Sequence, residues 1–207
     1  PAHGDVTRDK PLLAVRDLWP DGTLEPFNFA VYPGEILGLA GQLGSGSGDA
    51  LAVIGGAKSC RGGEISYEGD VFLPASPTEA IARGIAYCSD DRKVDGLFLG
   101  RPILENMTSP ALKSFSRYGI LEHQKEREQA FANGKKFTVD VSRMDAEAGV
   151  LSGGNQQKVA LGKWLAINPK VLLVNEPTRG VDVGARAGIY QKLRDLANEG
   201  TAVIFAS

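Results

Sequence analysis

The sequence predicts an α/β fold, and three stretches predict it. Residues 35–40 read as a buried strand that runs into a glycine-rich loop, Gly41 to Asp49, followed by a helical segment over 50–54. Val171, Leu172, Leu173 and Val174 form a short apolar run that ends in Asn175-Glu176-Pro177-Thr178. Between these two, from about residue 97 to 150, the pattern turns helical. A buried strand that delivers an acidic residue at its carboxyl end is how an open α/β sheet presents functional groups.

A chain of 207 residues can bury a real core, as one large domain or a domain plus a subdomain. Its 43% hydrophobic and 23% charged content are ordinary for a globular protein. The net charge of −2 argues against a nucleic-acid binder, which would carry a basic excess. Cys60 and Cys88 lie far apart and match no metal spacing, so they read as reduced thiols and no metal-ligand set is expected. No apolar run approaches the length of a membrane span and no secretory leader is read, so a membrane connection is expected only through a partner.

Residues 1–10 are polar, with a proline and a glycine, and read as a tail or linker. Residues 12–15 and 27–31 read as strands, the second alternating with period 2, and Trp19 sits between them. Strand, glycine turn and helix N-terminus then make a phosphate-loop architecture over Gly41, Gln42, Leu43, Gly44, Ser45, Gly46, Ser47, Gly48 and Asp49. Gly41, Gly44 and Gly46 stand where backbone N–H groups must approach phosphate. The motif calls for lysine at position 47 and a Mg²⁺-binding hydroxyl at 48, where this chain has Ser47 and Gly48. Losing one charge-assisted contact costs about 1.5–3 kcal/mol, and Asp49 adds a negative charge beside it. The loop is shaped for nucleotide and poorly equipped to bind it; a glycine-rich loop with no ligand is the alternative.

Ser76 as cap, Pro77 at the first position and Gly84 at the end define a short helix, and residues 85–88 a strand. That strand delivers Ser89-Asp90-Asp91-Arg92-Lys93, a run whose ordinary fate is a solvated charged turn. Helices are expected over 103–107 and 122–131. Leu151, Ser152, Gly153, Gly154, Asn155 and Gln156 follow. Ser152, Gly153 and Gly154 read as a donor-rich turn, with a helix from Asn155 carrying Val159, Leu161 and Leu165 on its apolar face. Free N–H groups and the positive end of the dipole make such a helix start an anion site, although Ser-Gly-Gly is also common loop chemistry. Residues 184–197 read as a further helix and 201–206 as a strand.

The segment Leu151-Ser152-Gly153-Gly154-Asn155-Gln156-Gln157-Lys158-Val159, with Glu176-Pro177-Thr178-Arg179-Gly180-Val181-Asp182-Val183-Gly184-Ala185 after it, resembles the signature and Walker B segments of ATP-binding cassette (ABC) ATPases. The wording is similar to the second nucleotide-binding half of the fused ATPase subunit of ribose-, xylose- or galactose-type sugar importers, over about residues 12–207. The resemblance implies a P-loop NTPase (ABC ATPase) core with an antiparallel β portion, including a hairpin over 62–69, and an inserted helical subdomain at about 97–150. It makes residues 1–10 the linker from a first half and 11–207 the nucleotide-binding domain, with the switch residue beyond Ser207. It implies that Trp19 stacks on adenine, where plain packing is the other reading, and that Asp90 and Asp91 belong to the Q-loop. It places Asn175 and Glu176 in Walker B, with Glu176 as the catalytic carboxylate, and Asp182 in the D-loop.

ATP hydrolysis needs lysine on the phosphates, a hydroxyl and an aspartate around Mg²⁺, a glutamate to orient water, and a switch residue. Of these, Glu176 is present, and Asn175 stands for the aspartate. ATP and Mg²⁺ are therefore expected to bind weakly or not at all at this domain's own site. ABC halves pair head to tail, so the expected role is in trans: Ser152, Gly153 and Gly154 close over nucleotide held by the first half. The implied partners are that half, transmembrane permease subunits and, indirectly, a periplasmic or extracellular sugar-binding protein, with no nucleic acid. The implied place is the cytoplasmic face of the membrane. The rival readings are a non-catalytic docking or regulatory module of this fold, and a DNA-repair ATPase; the second normally carries a long coiled coil, and no sustained heptad is present.

Overall fold

The computed structural model describes residues 10–42 and 44–207; Leu43 and the first nine residues, where the tail was expected, lie outside the described residues. In chain order the elements begin with β1 (Leu13–Pro20), β2 (Phe27–Val31), β3 (Ile36–Leu39), α1 (Ser47–Ile54), β4 (Cys60–Tyr67), β5 (Asp70–Val71), α2 (Pro77–Ala82) and β6 (Ile85–Cys88). They continue with α3 (Ile103–Thr108), β7 (Ser116–Arg117), β8 (Ile120–Leu121), α4 (His123–Lys136), α5 (Gly153–Gly162), β9 (Val171–Asn175), α6 (Val183–Asn198) and β10 (Ala202–Ala206). The chain divides into two units: residues 1–89, 169–177 and 190–207, and residues 90–168 and 178–189.

The first unit holds two four-stranded sheets. One is antiparallel in the order β2-β1-β4-β5, the other parallel in the order β3-β10-β9-β6. β9 is fully buried from Val171 to Val174, as a central strand covered on both faces must be. β3 corrects the expectation of a buried strand. It stands at the end of its sheet with β10 as its ladder neighbour, and Ile36 is 38% exposed. In β1 the pairing register shifts between Val15 and Leu18, and Asp17 takes a left-handed φ of 47°. That bulge returns Leu18 to the buried face, and Asn28 exchanges hydrogen bonds with Asp17 across it (2.8 and 3.0 Å). Leu13, Val15, Leu51, Ile54, Ile65, Val171, Leu173 and Ile204 belong to one core, each fully buried large side chain contributing about 1.5–3 kcal/mol. The hairpin expected over 62–69 is present as β4 and β5, turning at Glu68 and Gly69. α2 starts and stops where its caps predict. The Ser76 side chain accepts from Glu79 N, Pro77 opens the helix, and Gly84 follows at φ 80°.

The second unit is mainly helical, with a core that includes Ile103, Met107, Phe137, Met144 and Leu161. Two helical glycines lie against the ends of methionine side chains there. A Cβ on Gly134 would lie 2.2 Å from Met144 Cε, and one on Gly162 would lie 3.0 Å from Met107 Cε. Glu126 is buried and accepts from the Thr108 hydroxyl at 2.9 Å, which satisfies an otherwise costly group. The predicted helix over 122–131 starts one residue later and runs to Lys136. Within 97–150, read as mainly helical, lies also the small hairpin β7–β8. Tyr118 and Gly119, both at positive φ (54° and 81°), turn it in the manner of a type I′ turn. Among the described residues, no helix is long and apolar enough to cross a membrane.

Candidate functional site

In the first unit, β3 feeds the loop that ends at α1, giving the strand–loop–helix order expected of a phosphate cradle. Ser45 N donates to Gln42 O at 2.9 Å, and Gly44 and Gly46 take φ of 87° and 83°, a region closed to most side chains. Packing also demands glycine here. A Cβ on Gly41 would lie 2.2 Å from Ser45 Oγ, and one on Gly46 would lie 2.1 Å from Thr23 Cγ2. α1 begins at Ser47, three residues earlier than expected, with Gly46 as a cap that makes no side-chain hydrogen bond. The hydroxyls of Ser45 and Ser47 are 3.3 Å apart. The Asp49 carboxylate, whose negative charge was expected beside the loop, pairs with Lys58 Nζ at 2.5 Å.

β9 brings Asn175 to the start of α1, with Glu176 following it in sequence. Gly48 rests against the Asn175 amide: a Cβ on it would lie 2.6 Å from Nδ2 and 2.7 Å from Oδ1. Glu176 has a left-handed φ of 50° and is half-buried, with its N–H donating to Ala206 O at 2.9 Å. Trp19, expected in a loop between strands, instead lies within β1. Its Nε1 donates to Thr23 O at 3.0 Å, and the Arg61 guanidinium carbon is 5.9 Å from the ring centroid. Asp17, Trp19, Arg61, Gly62 and Gly63 line a hollow of about 260 Å³. Thr23 was not foreseen. It is buried, donates to Pro20 O at 2.9 Å, and wedges against Gly46.

In the second unit, α5 starts at Gly153 with Ser152 as its cap, so Gly153 and Gly154 form the first helical turn and not a turn ahead of it. The reason is local: Gln156 N donates to Ser152 O at 2.9 Å and closes the helix there. Ser152 is exposed and its side chain makes no capping hydrogen bond. Leu151 and Gln156 are buried, and Gln156 Nε2 donates to Leu151 O at 3.2 Å. Asn155 is half-buried on the same turn. A Cβ on Gly153 would lie 2.6 Å from Gly180 O, while Gly154 faces Val181 and Ala185.

The acidic run also folds onto this region. The Asp90 carboxylate pairs with the Arg179 guanidinium. Asp91 accepts from Lys93 N (3.1 Å) and Val94 N (3.2 Å), capping a π-helical turn over Arg92–Gly96. Asp182 is exposed, and its carbonyl accepts from Ala185 N and Arg186 N at the start of α6. The unit therefore brings together Asp90, Asp91, residues 151–156 and residues 179–182. Arg92, Arg179 and Gly180 complete the cluster and were not singled out from the sequence. The signal available was the arginine that follows two aspartates.

Residues 24–179 match the ABC transporter family. The ribose import ATP-binding protein RbsA of Geobacillus kaustophilus is 41% identical over 202 residues, covering 98% of this chain and 41% of that protein. A putative ribose/galactose/methyl galactoside import ATP-binding protein of Burkholderia cenocepacia is also 41% identical, covering 100% and 40%. The chain thus spans about two fifths of the length of these relatives. Among solved structures, a nucleotide-free ATP-binding cassette from an ABC transporter superposes with a TM-score of 0.81 at 21% identity, covering 96% of this chain and 81% of that one. A dimeric cassette in a post-hydrolysis state bound to ADP and Pi gives 0.79 at 23% identity, covering 94% and 87%. Those likenesses establish the fold, an ABC-type P-loop NTPase with an antiparallel and a parallel sheet. With three quarters of its length matching the family, this chain belongs to the ABC transporter proteins, as an ATPase domain.

Proposed function

We propose that this domain serves a sugar importer of the ribose, xylose or galactose type, and that it works chiefly in trans, completing a nucleotide site held by another half. The observation that carries this reading is Ser152, exposed at the start of a 10-residue helix with its hydroxyl committed to no cap. Together with the N–H groups of Gly153 and Gly154 it presents donors and the positive end of a helix dipole to an incoming anion. These groups would donate to the terminal phosphoryl oxygens of a nucleotide bound to the partner, and Asp182 would meet that partner nearby.

The domain's own loop does not fit a Mg²⁺–triphosphate. Mg²⁺ needs oxygen donors in near-octahedral array, and here position 48 has no side chain and abuts the Asn175 amide. Ser47 cannot reach phosphate with a charge, and Asp49 is engaged by Lys58. Glu176 is the one retained catalytic carboxylate, and without a positioned triphosphate it has no water to orient. The relatives named as ribose and ribose/galactose/methyl galactoside import ATP-binding proteins support the sugar class. Residues 1–10 would link to the first half, and residues 97–150 form the helical subdomain. That subdomain, with a cavity of about 580 Å³ walled by Phe98, Leu104, Leu112 and Leu121, would face the permease on the cytoplasmic side of the membrane. The sugar-binding protein would act through that permease.

Calorimetric titration of this chain with ATP, with and without Mg²⁺, tests the reading. Absence of heat up to about millimolar nucleotide supports it, and Mg²⁺-dependent binding near micromolar rejects it. In the assembled ATPase, Ser152→Glu abolishes turnover and Ser47→Ala leaves it intact. Equal sensitivity at both positions rejects action in trans.

A further inference from the structure

The Arg92 guanidinium reaches two segments far apart in sequence. Its Nε donates to Gln156 Oε1 at 3.4 Å, in the first turn of α5. Its Nη1 donates to Arg179 O at 2.6 Å and its Nη2 to Gly180 O at 3.4 Å. Three acceptors at different angles suit a planar fork, and a lysine ammonium on a flexible stem cannot reproduce them. The neighbours of Arg92 hold it in place: Asp91 caps the turn that Arg92 begins, and Asp90 pairs with Arg179, whose carbonyl Arg92 binds. Two glycines leave the room. Cβ atoms on Gly153 and on Gly180 would each lie 3.1 Å from Arg92 Nη2.

We propose that Arg92 is a positioning residue that holds the start of α5 and the loop over 179–182 as one body, so that Ser152 and Asp182 meet a partner in fixed register. The use of that register rests on the function proposed above; the brace itself does not. Asp90, expected in the Q-loop, is on this account the second point of the brace, through its ion pair with Arg179.

Hydrogen exchange on the nucleotide-free chain tests it, with Arg92→Gln and Arg92→Lys beside the unaltered protein. The reporters are the amide of Gln156, which donates to Ser152 O, and those of Val181 and Ala185, which donate to Thr178 O and Asp182 O. Both groups of amides exchange about tenfold faster or more in Arg92→Gln, and Arg92→Lys restores neither. Protection in β9 and α1 stays unchanged and shows an intact fold. Unaltered protection of either group in Arg92→Gln, or full recovery with lysine, overturns the proposal. In the assembled ATPase both variants lower kcat with KM for ATP unchanged, because the loop that holds ATP is untouched; a raised KM with kcat kept also overturns it. The exchange experiment contains no nucleotide, so its failure rejects the brace, whereas Ser152→Glu turnover decides action in trans.

Discussion

Gly48 and Asn175 meet so closely that the Asn175 side chain must shift to admit a larger residue: a Cβ on Gly48 would lie 2.6 Å from the Asn175 amide nitrogen. The two positions where a hydroxyl and a carboxylate would share Mg²⁺ are thus packed against each other. Gly48→Ser gains roughly 0.5 kcal/mol of helix propensity but overpacks the contact, which costs about 1–3 kcal/mol. The single variant is therefore less stable in urea denaturation. In an Asn175→Ala background the added side chain has room, and its cost falls by roughly 0.5 kcal/mol or more. Additive costs in the two backgrounds would show that the contact is not what excludes a side chain.

The sequence made some of this readable and hid the rest for definite reasons. α2 was legible because Ser76, Pro77 and Gly84 act through the backbone of their own turn. β9 was legible because a strand covered on both faces has to be apolar throughout. The exposure of β3 was not, since standing at a sheet edge is decided by β10, more than 160 residues on. The β7–β8 hairpin hid in two-residue strands, with Tyr118-Gly119 as its sole local mark. The glycines of the phosphate loop and of α5 were read as making room for an anion. The structure adds neighbours, Thr23 and Gly180, that also need that room. The arginine after two aspartates marked Arg92, but its role was hidden, because two of its acceptors are backbone carbonyls, which carry no residue type.

Glu176 holds a left-handed φ of 50°. For a residue with a Cβ this costs roughly 1–2 kcal/mol, while glycine there loses about 0.5–1 kcal/mol more backbone entropy on folding. Glu176→Gly should therefore stabilise the chain by roughly 0.5–1 kcal/mol, with the bond from residue 176 N to Ala206 O kept. Urea denaturation measures it. A gain in stability would mean that the carboxylate is held against the preference of the backbone, as expected of a functional group. A loss would mean that side-chain contacts of Glu176 outweigh the strain.

Tyr67 is fully buried and donates to Arg83 O at 2.8 Å. Burial first, and then the Glu68 carboxylate, push its phenol up to about 12 against the opposing Arg83 guanidinium. The unfolded value is about 10, so the folded chain holds the proton more tightly. Its contribution is complete below about pH 10 and is lost as the pH rises toward 12. Tyr67→Phe removes this titration. The stability difference between the chain and the variant should be constant below about pH 10 and shift against the tyrosine above it. Denaturant midpoints collected on both sides of that pH check it, and a flat difference would place the phenol in contact with water.

Gly153→Ala sets local preference against packing. Alanine is better than glycine inside a helix by about 1 kcal/mol, and residue 153 is the first residue of α5, after the cap Ser152. The Cβ, however, would lie 2.6 Å from Gly180 O and 3.1 Å from Arg92 Nη2. A backbone carbonyl cannot swing aside as a side chain can, so the loop over 179–182 must move, at about 1–3 kcal/mol. Packing wins, and the variant is less stable despite its better helix former. The same displacement separates Arg92 from its acceptors. The variant should therefore reproduce the faster exchange at Gln156 and Val181 expected for Arg92→Gln, although Arg92 is unchanged. A more stable variant with normal exchange at both amides would mean that Gly153 is there for an anion alone.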